Sequence, residues 1–226
     1  MKPLARTAIT AAVLACACLV SLGLRPARSG GQDKAAAPAA NKYIGAEKCK
    51  NCHSAQASGD QYGHWQAAGH SKAFEVLASD AAKAAAKERG VEDAQKSETC
   101  MKCHVTAFGA PPEALKKGFE PRSGVQCESC HGPGETHMKA RFAAAASAGA
   151  EVGARQELPA GEIVAKVEMK TCLTCHNEES PTFKPFCFKE RWAKIGHFDP
   201  RKKRPADYQV DCDCPKCIGE KVGEKK

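Results

Sequence analysis

Aromatic side chains are scarce in this chain, 6% of its residues, and much of its 42% apolar fraction is alanine. So thin a supply of bulky groups excludes a core built only from large side chains packed on one another, because burial energy follows apolar area. Alternation of apolar and polar residues is lacking as well. No window repeats with the period of two that a half-buried strand needs, which excludes an extensive sheet. Strong charge of one sign is also missing: the formal net charge is +8, and without residues 1–28, which carry four basic and no acidic side chains, 30 basic face 26 acidic groups, a formal +4. The run Arg201-Lys202-Lys203-Arg204 then reads as a solvated basic tail, and no nucleic-acid partner is expected. Histidine is sparse too, 8 residues against 14 cysteines.

The first segment stands apart. Lys2 and Arg6 precede an apolar run from Thr7 to Leu24 that ends at Arg25, the pattern of a secretory signal or, if uncleaved, a membrane anchor over residues 1–28. Val13-Leu14-Ala15-Cys16 also resembles a lipidation site, so a membrane tether is the alternative. Each version puts the folded part outside the cytoplasm, in the periplasm. Residues 29–42 read as a flexible leader of Gly, Ala, Pro and charge, residues 43–198 as the folded domain, and residues 199–226 as a cysteine-containing extension.

What is abundant is cysteine in one repeated setting. The pentapeptides are Cys49-Lys50-Asn51-Cys52-His53, Cys100-Met101-Lys102-Cys103-His104, Cys127-Glu128-Ser129-Cys130-His131 and Cys172-Leu173-Thr174-Cys175-His176. This is the haem c attachment motif, four times over. Two thiols separated by two residues each add to one vinyl group of the same porphyrin, and the adjoining histidine reaches the iron as proximal ligand. Zinc sites and disulfide frameworks also use Cys-x-x-Cys pairs, but neither accounts for a histidine after every pair, a coincidence on the order of one in a million at this histidine content. Four covalent haem c groups with their iron are therefore expected, and they supply the apolar bulk the side chains lack.

Second axial ligands come from what remains: His64, His70, His137 and His197, with Met101, Met138 and Met169 as the candidate thioethers. Four spare histidines permit two imidazoles on every iron. The expected architecture is mainly α, short helices and long loops wrapped around the four haems, with little or no sheet. Gln61 to Leu77 reads as two helical stretches around Gly69; Ser79 is an N-cap for a helix from Asp80 to Arg89 that Gly90 ends. Thr136 reads as the cap of a helix running through Arg141 into the Ala143 to Ala146 run, and Phe188 to Ile195 as a helix stopped at Gly196. His64 and His70 lie about 240° apart on an ideal helix and so cannot serve one iron from one face. Gly132-Pro133-Gly134 is a turn that bends the chain beside the third site and carries His137 toward a neighbouring iron, its glycines leaving room for a porphyrin.

Several stretches resemble the tetrahaem cytochrome c-554 family: Tyr43-Ile44-Gly45 before Cys49, Gly69-His70-Ser71-Lys72-Ala73, Cys103-His104-Val105 with Phe108-Gly109, and Gly124-Val125-Gln126-Cys127 running into His131-Gly132-Pro133-Gly134. The resemblance covers roughly residues 43–198. It implies a mainly helical fold with haems in closely spaced pairs, three irons ligated by two histidines and the second five-coordinate. Carried onto this chain it implies His53 with distal His137, His131 with distal His70, His176 with distal His197, and His104 on the open iron, with His64 at the surface or the pocket edge, the alternative being that His64 caps the haem of His104.

The resemblance further implies electron transfer between redox proteins, an oxidoreductase donor such as hydroxylamine oxidoreductase and a cytochrome or quinone-linked acceptor. Two other readings stand beside the carrier: a nitric oxide or hydroxylamine redox enzyme at the haem of His104, and an anchored subunit of a respiratory complex docking through its basic tail. Outside the motifs, Cys187, Cys212, Cys214 and Cys217 form either two disulfides or a four-sulfur metal site.

Overall fold

The computed structural model describes residues 41–147, 159–184 and 187–202. Among them are eight short α-helices: α1 (Ala46–His53), α2 (Gln61–Ala67), α3 (Asp80–Glu88), α4 (Glu98–His104), α5 (Cys127–His131), α6 (Glu135–Ser147), α7 (Met169–Leu173) and α8 (Phe188–Ile195). Paired extended backbone among the described residues is limited to one isolated bridge between Tyr43 and Leu115. Among the described residues the fold is mainly helical without sheet, as the missing alternation requires. The expected export segment, residues 29–40 of the leader, and Cys212, Cys214 and Cys217 of the extension lie outside the described residues. Among the described residues no helix is long and apolar enough to cross a membrane.

Local chemistry explains several boundaries. The Ser79 hydroxyl accepts from Ala82 N at 3.2 Å and opens α3, which closes before Gly90 at φ +68°. Asp60 caps α2 by accepting from Gly63 N at 3.0 Å. The stretch after α2 differs from the expected second helix: it breaks into the 3-10 turns Gly69–Lys72 and Glu75–Ala78, each too short to propagate. Helix α8 ends at Gly196 as expected.

Helix α6 corrects the sequence reading. It begins at Glu135, so Thr136 lies inside it. The free N–H of Thr136 is met instead by the side-chain oxygen of Asn41 at 2.8 Å, while the Asn41 amide donates to Pro133 O at 2.5 Å. Any acceptor that the tertiary structure brings to a helix start satisfies its orphan donors, and Asn41 is remote in the chain.

Apolar packing is divided. Leu77, Ala86 and Ala94 form one buried cluster with Phe74, Val91 and Cys100 against it; Cys187 and Phe188 form another with Met169, Cys172 and Trp192. Each cluster touches a cysteine of an attachment motif. Polar clamps join the rest. The Gln126 side chain accepts from Ala46 N at 2.8 Å and donates to Glu120 O at 2.9 Å, and Thr106 Oγ1 donates to Gly124 O at 3.0 Å while accepting from Gln126 N at 2.7 Å.

The buried carboxylate of Glu128 accepts from the N–H groups of Ile44 (2.9 Å), Gly45 (2.7 Å) and Gly134 (2.7 Å). Burial pushes its pKa up against the pull of those donors. A Cβ on Gly134 would stand 3.2 Å from Glu128 Oε1 and from Ile44 Cδ1. The space left by that glycine is therefore taken by Glu128, a correction to the expectation that it admits a porphyrin.

Candidate functional site

Helical geometry prepares each attachment site. Cysteines at i and i+3 lie on one helix face about a turn apart, so their thiols stand side by side. The first three pairs, Cys49/Cys52, Cys100/Cys103 and Cys127/Cys130, sit in α1, α4 and α5, whose last residues are His53, His104 and His131; Cys172 lies in α7, with Cys175 and His176 just beyond it. The sites also meet in couples. The thiols of Cys49 and Cys127 lie against each other, and their interaction drives the first pKa up and the second down. Cys103 lies beside Cys175 and is pushed up to about 11, chiefly by burial; Cys130, near Cys172, is likewise pushed up to about 11 by burial. First and third sites are thus neighbours, as are second and fourth, and third and fourth.

The histidines meet two at a time. Ring centroids of His53 and His137 are 6.1 Å apart, those of His70 and His176 6.0 Å, and those of His131 and His197 6.0 Å. Each pair joins one motif histidine to one non-motif histidine. Two metal–imidazole bonds of about 2 Å, with a ring radius of about 1 Å at each end, span about 6 Å, so these gaps fit one metal ion between two imidazoles. Among the described residues no three His, Cys, Asp or Glu side chains converge as a metal-ion site, and His104 has no second histidine ring paired with it.

Two of these pairings differ from the assignments implied by the resemblance. There His131 is matched with His70 and His176 with His197; in the structure the ring of His131 lies by that of His197 and the ring of His176 by that of His70. The reason lies in the fold. His70 sits in the turn after α2, and its carbonyl accepts from Val125 N at 2.9 Å. His197 leaves the end of α8, held by its ring N–H on Ile195 O at 3.1 Å and by Trp192 packed edge-on against Phe198. His64 stands exposed on α2, and Met169 packs in the Cys187 cluster.

Hydrogen bonds to Nδ1 define which nitrogen is left for a metal. His104 donates to Ala73 O at 2.5 Å, His131 to Val164 O at 2.6 Å, His53 to the side-chain oxygen of Gln61 at 3.4 Å, and His137 to Glu162 Oε1 at 2.6 Å. Oxygen acceptors of these kinds require the proton on Nδ1, which leaves the lone pair on Nε2. Burial lowers the pKa of His53, His70, His176 and His197, favouring the neutral imidazole that binds metal. The donor set fits haem: paired thiols, a histidine beside each pair, and opposed imidazoles at three of the four sites. Gln61, Glu162 and the carbonyls of Ala73, Val164 and Ile195 went unseen in the sequence, since they carry no motif and act through space.

Comparison with known proteins agrees with this donor set. Residues 48–132 match the family described as cytochrome c554 and c-prime. The chain is 36% identical over 126 residues to the cytochrome c-554 of Nitrosomonas europaea, an alignment covering 54% of this chain and 49% of that protein. The chain thus spans about half the length of this curated relative. No solved structure matches it significantly.

Proposed function

We propose, from the match of residues 48–132 to the cytochrome c-554 family, that this chain is an exported tetrahaem c-type cytochrome relaying electrons between redox proteins in the periplasm. The observation that carries the reading is the set of three histidine pairs at 6.0–6.1 Å, each opposing a motif histidine to a non-motif one. Haem c supplies a one-electron couple between ferric and ferrous iron. Cys49, Cys52, His53 and His137 would hold the first group; Cys127, Cys130, His131 and His197 the third; Cys172, Cys175, His176 and His70 the fourth. Two imidazoles leave an iron no open position, which suits a carrier that needs neither substrate nor proton chemistry. The adjacent thiols of Cys49 and Cys127 bring two attachment sites together, as a relay through neighbouring groups requires.

The second site supports a second reading. Cys100, Cys103 and His104 would hold a haem whose histidine is opposed by no other, so a small ligand such as nitric oxide or hydroxylamine could bind there. Intact mass should show four haems that resist acid-acetone, electron paramagnetic resonance should show three low-spin irons and one high-spin, and carbon monoxide should bind one haem per chain. Pigment stripped by acid-acetone would end the cytochrome reading. Four low-spin irons that take up no carbon monoxide would end the open-site reading and leave the carrier.

A further inference from the structure

The partners of the ring N–H groups differ in charge. His104, His131 and His197 donate to backbone carbonyls and His53 to an amide oxygen, all neutral acceptors. His137 donates to a carboxylate, Glu162 Oε1 at 2.6 Å, and the other oxygen of that carboxylate accepts from Arg141 Nη2 at 2.6 Å. The side chain of Glu162 is only 6% exposed. His137 and Arg141 stand one turn apart on α6, on the same face, so one acid from the loop before α7 reaches both.

We propose that Glu162 is a positioning residue that lowers the redox potential of the haem held by His53 and His137, with Arg141 restraining the effect. The inference rests on the ligation proposed above. A hydrogen bond to an ionised acceptor is stronger than one to a neutral carbonyl and draws the ring proton outward, making Nε2 a better donor to iron. Ferric iron carries the greater charge and benefits more, and the buried anion favours that state directly through a poorly screening interior. Arg141 offsets part of the carboxylate charge. No proton changes hands: one electron leaves the ferrous haem for its acceptor, and Glu162 only shifts the balance between the two oxidation states.

Substitutions at the two ends of this chain of contacts have opposite signs. Glu162→Gln keeps the size and an oxygen acceptor for His137 but removes the charge. In a spectroelectrochemical titration of the haem-loaded protein it should raise the midpoint of one haem so that the ferrous fraction at a fixed potential rises about tenfold, a shift of about 59 mV. Arg141→Gln should move the same midpoint downward. A pocket merely loosened to water would move it downward in Glu162→Gln as well, since water stabilises the more highly charged ferric iron. An unchanged or lowered midpoint in Glu162→Gln, with the iron still low-spin, overturns the proposal; if that variant does not accumulate, a raised or unchanged midpoint in Arg141→Gln does so. His137→Ala separates this from the ligation reading. If it turns one low-spin iron high-spin, the ligation stands and the two charge variants judge Glu162 alone; if every spin state is unchanged, both fail.

Discussion

Glu128, the second residue of the third attachment motif, offers a demanding test of how this protein holds together with so few large side chains. Its carboxylate is 3% exposed and accepts three backbone N–H groups, from Ile44 and Gly45 before α1 and from Gly134 before α6. Those segments lead into the helices that carry His53 and His137. Glu128→Ala strands three buried donors; at about 1 kcal/mol each, the low end for an unsatisfied group, the loss is about 3 kcal/mol. That is a large share of the roughly 5–15 kcal/mol that stabilises a domain. Glu128→Gln does not restore the clamp, because one oxygen becomes an NH2 facing a backbone N–H, and it should lose about half as much or more. Guanidinium unfolding of the haem-loaded protein, followed by far-ultraviolet circular dichroism and by the Soret band, measures both losses. An alanine variant within about 0.5 kcal/mol of the parent, below the usual worth of one hydrogen bond, would refute the clamp.

Three further perturbations follow from the same geometry. Gly124 has φ +79°, and a Cβ there would stand 2.5 Å from His70 O and 2.8 Å from Ser71 O, so Gly124→Ala should push away the turn that bears His70. Carbon monoxide uptake by the reduced protein should then rise from one to two haems per chain, and a count still at one would contradict the His70–His176 pair. Asn41→Ala removes the acceptor of Thr136 N and the donor to Pro133 O, and should cost about 1 kcal/mol in the same unfolding assay. Glu135 is held by Lys116 at 2.5 Å and Lys139 at 2.9 Å, hydrogen bonds that lower its pKa from 4.5 to about 2. A depressed carboxyl pKa stabilises the fold above about 4.5, the unfolded value, and that contribution is lost as pH falls toward 2. The melting-temperature gap between parent and Glu135→Gln should therefore be full at pH 6 and closed near pH 2; a gap independent of pH would count against the ion pairs.

Much of this molecule is written locally. The attachment chemistry is legible because both thiols and the proximal histidine fall within five residues, and covalent reach needs no more than a helical turn. The Asp80 and Phe188 helices were legible for the same reason: Ser79, Gly90 and Gly196 act on backbone groups a few residues away. Whatever acts across the chain was not. The sequence leaves four spare histidines open to four irons, and only the docking of the turn at His70 against Val125 and the exit of His197 from α8 bring the ring of His70 to His176 and that of His197 to His131. Asn41 at the start of α6, Glu128 beneath Ile44 and Gly134, and Glu162 behind His137 belong to the same class. Their roles depend on distances between segments remote in sequence, and a side chain's identity carries no record of which distant donor the fold will bring to it.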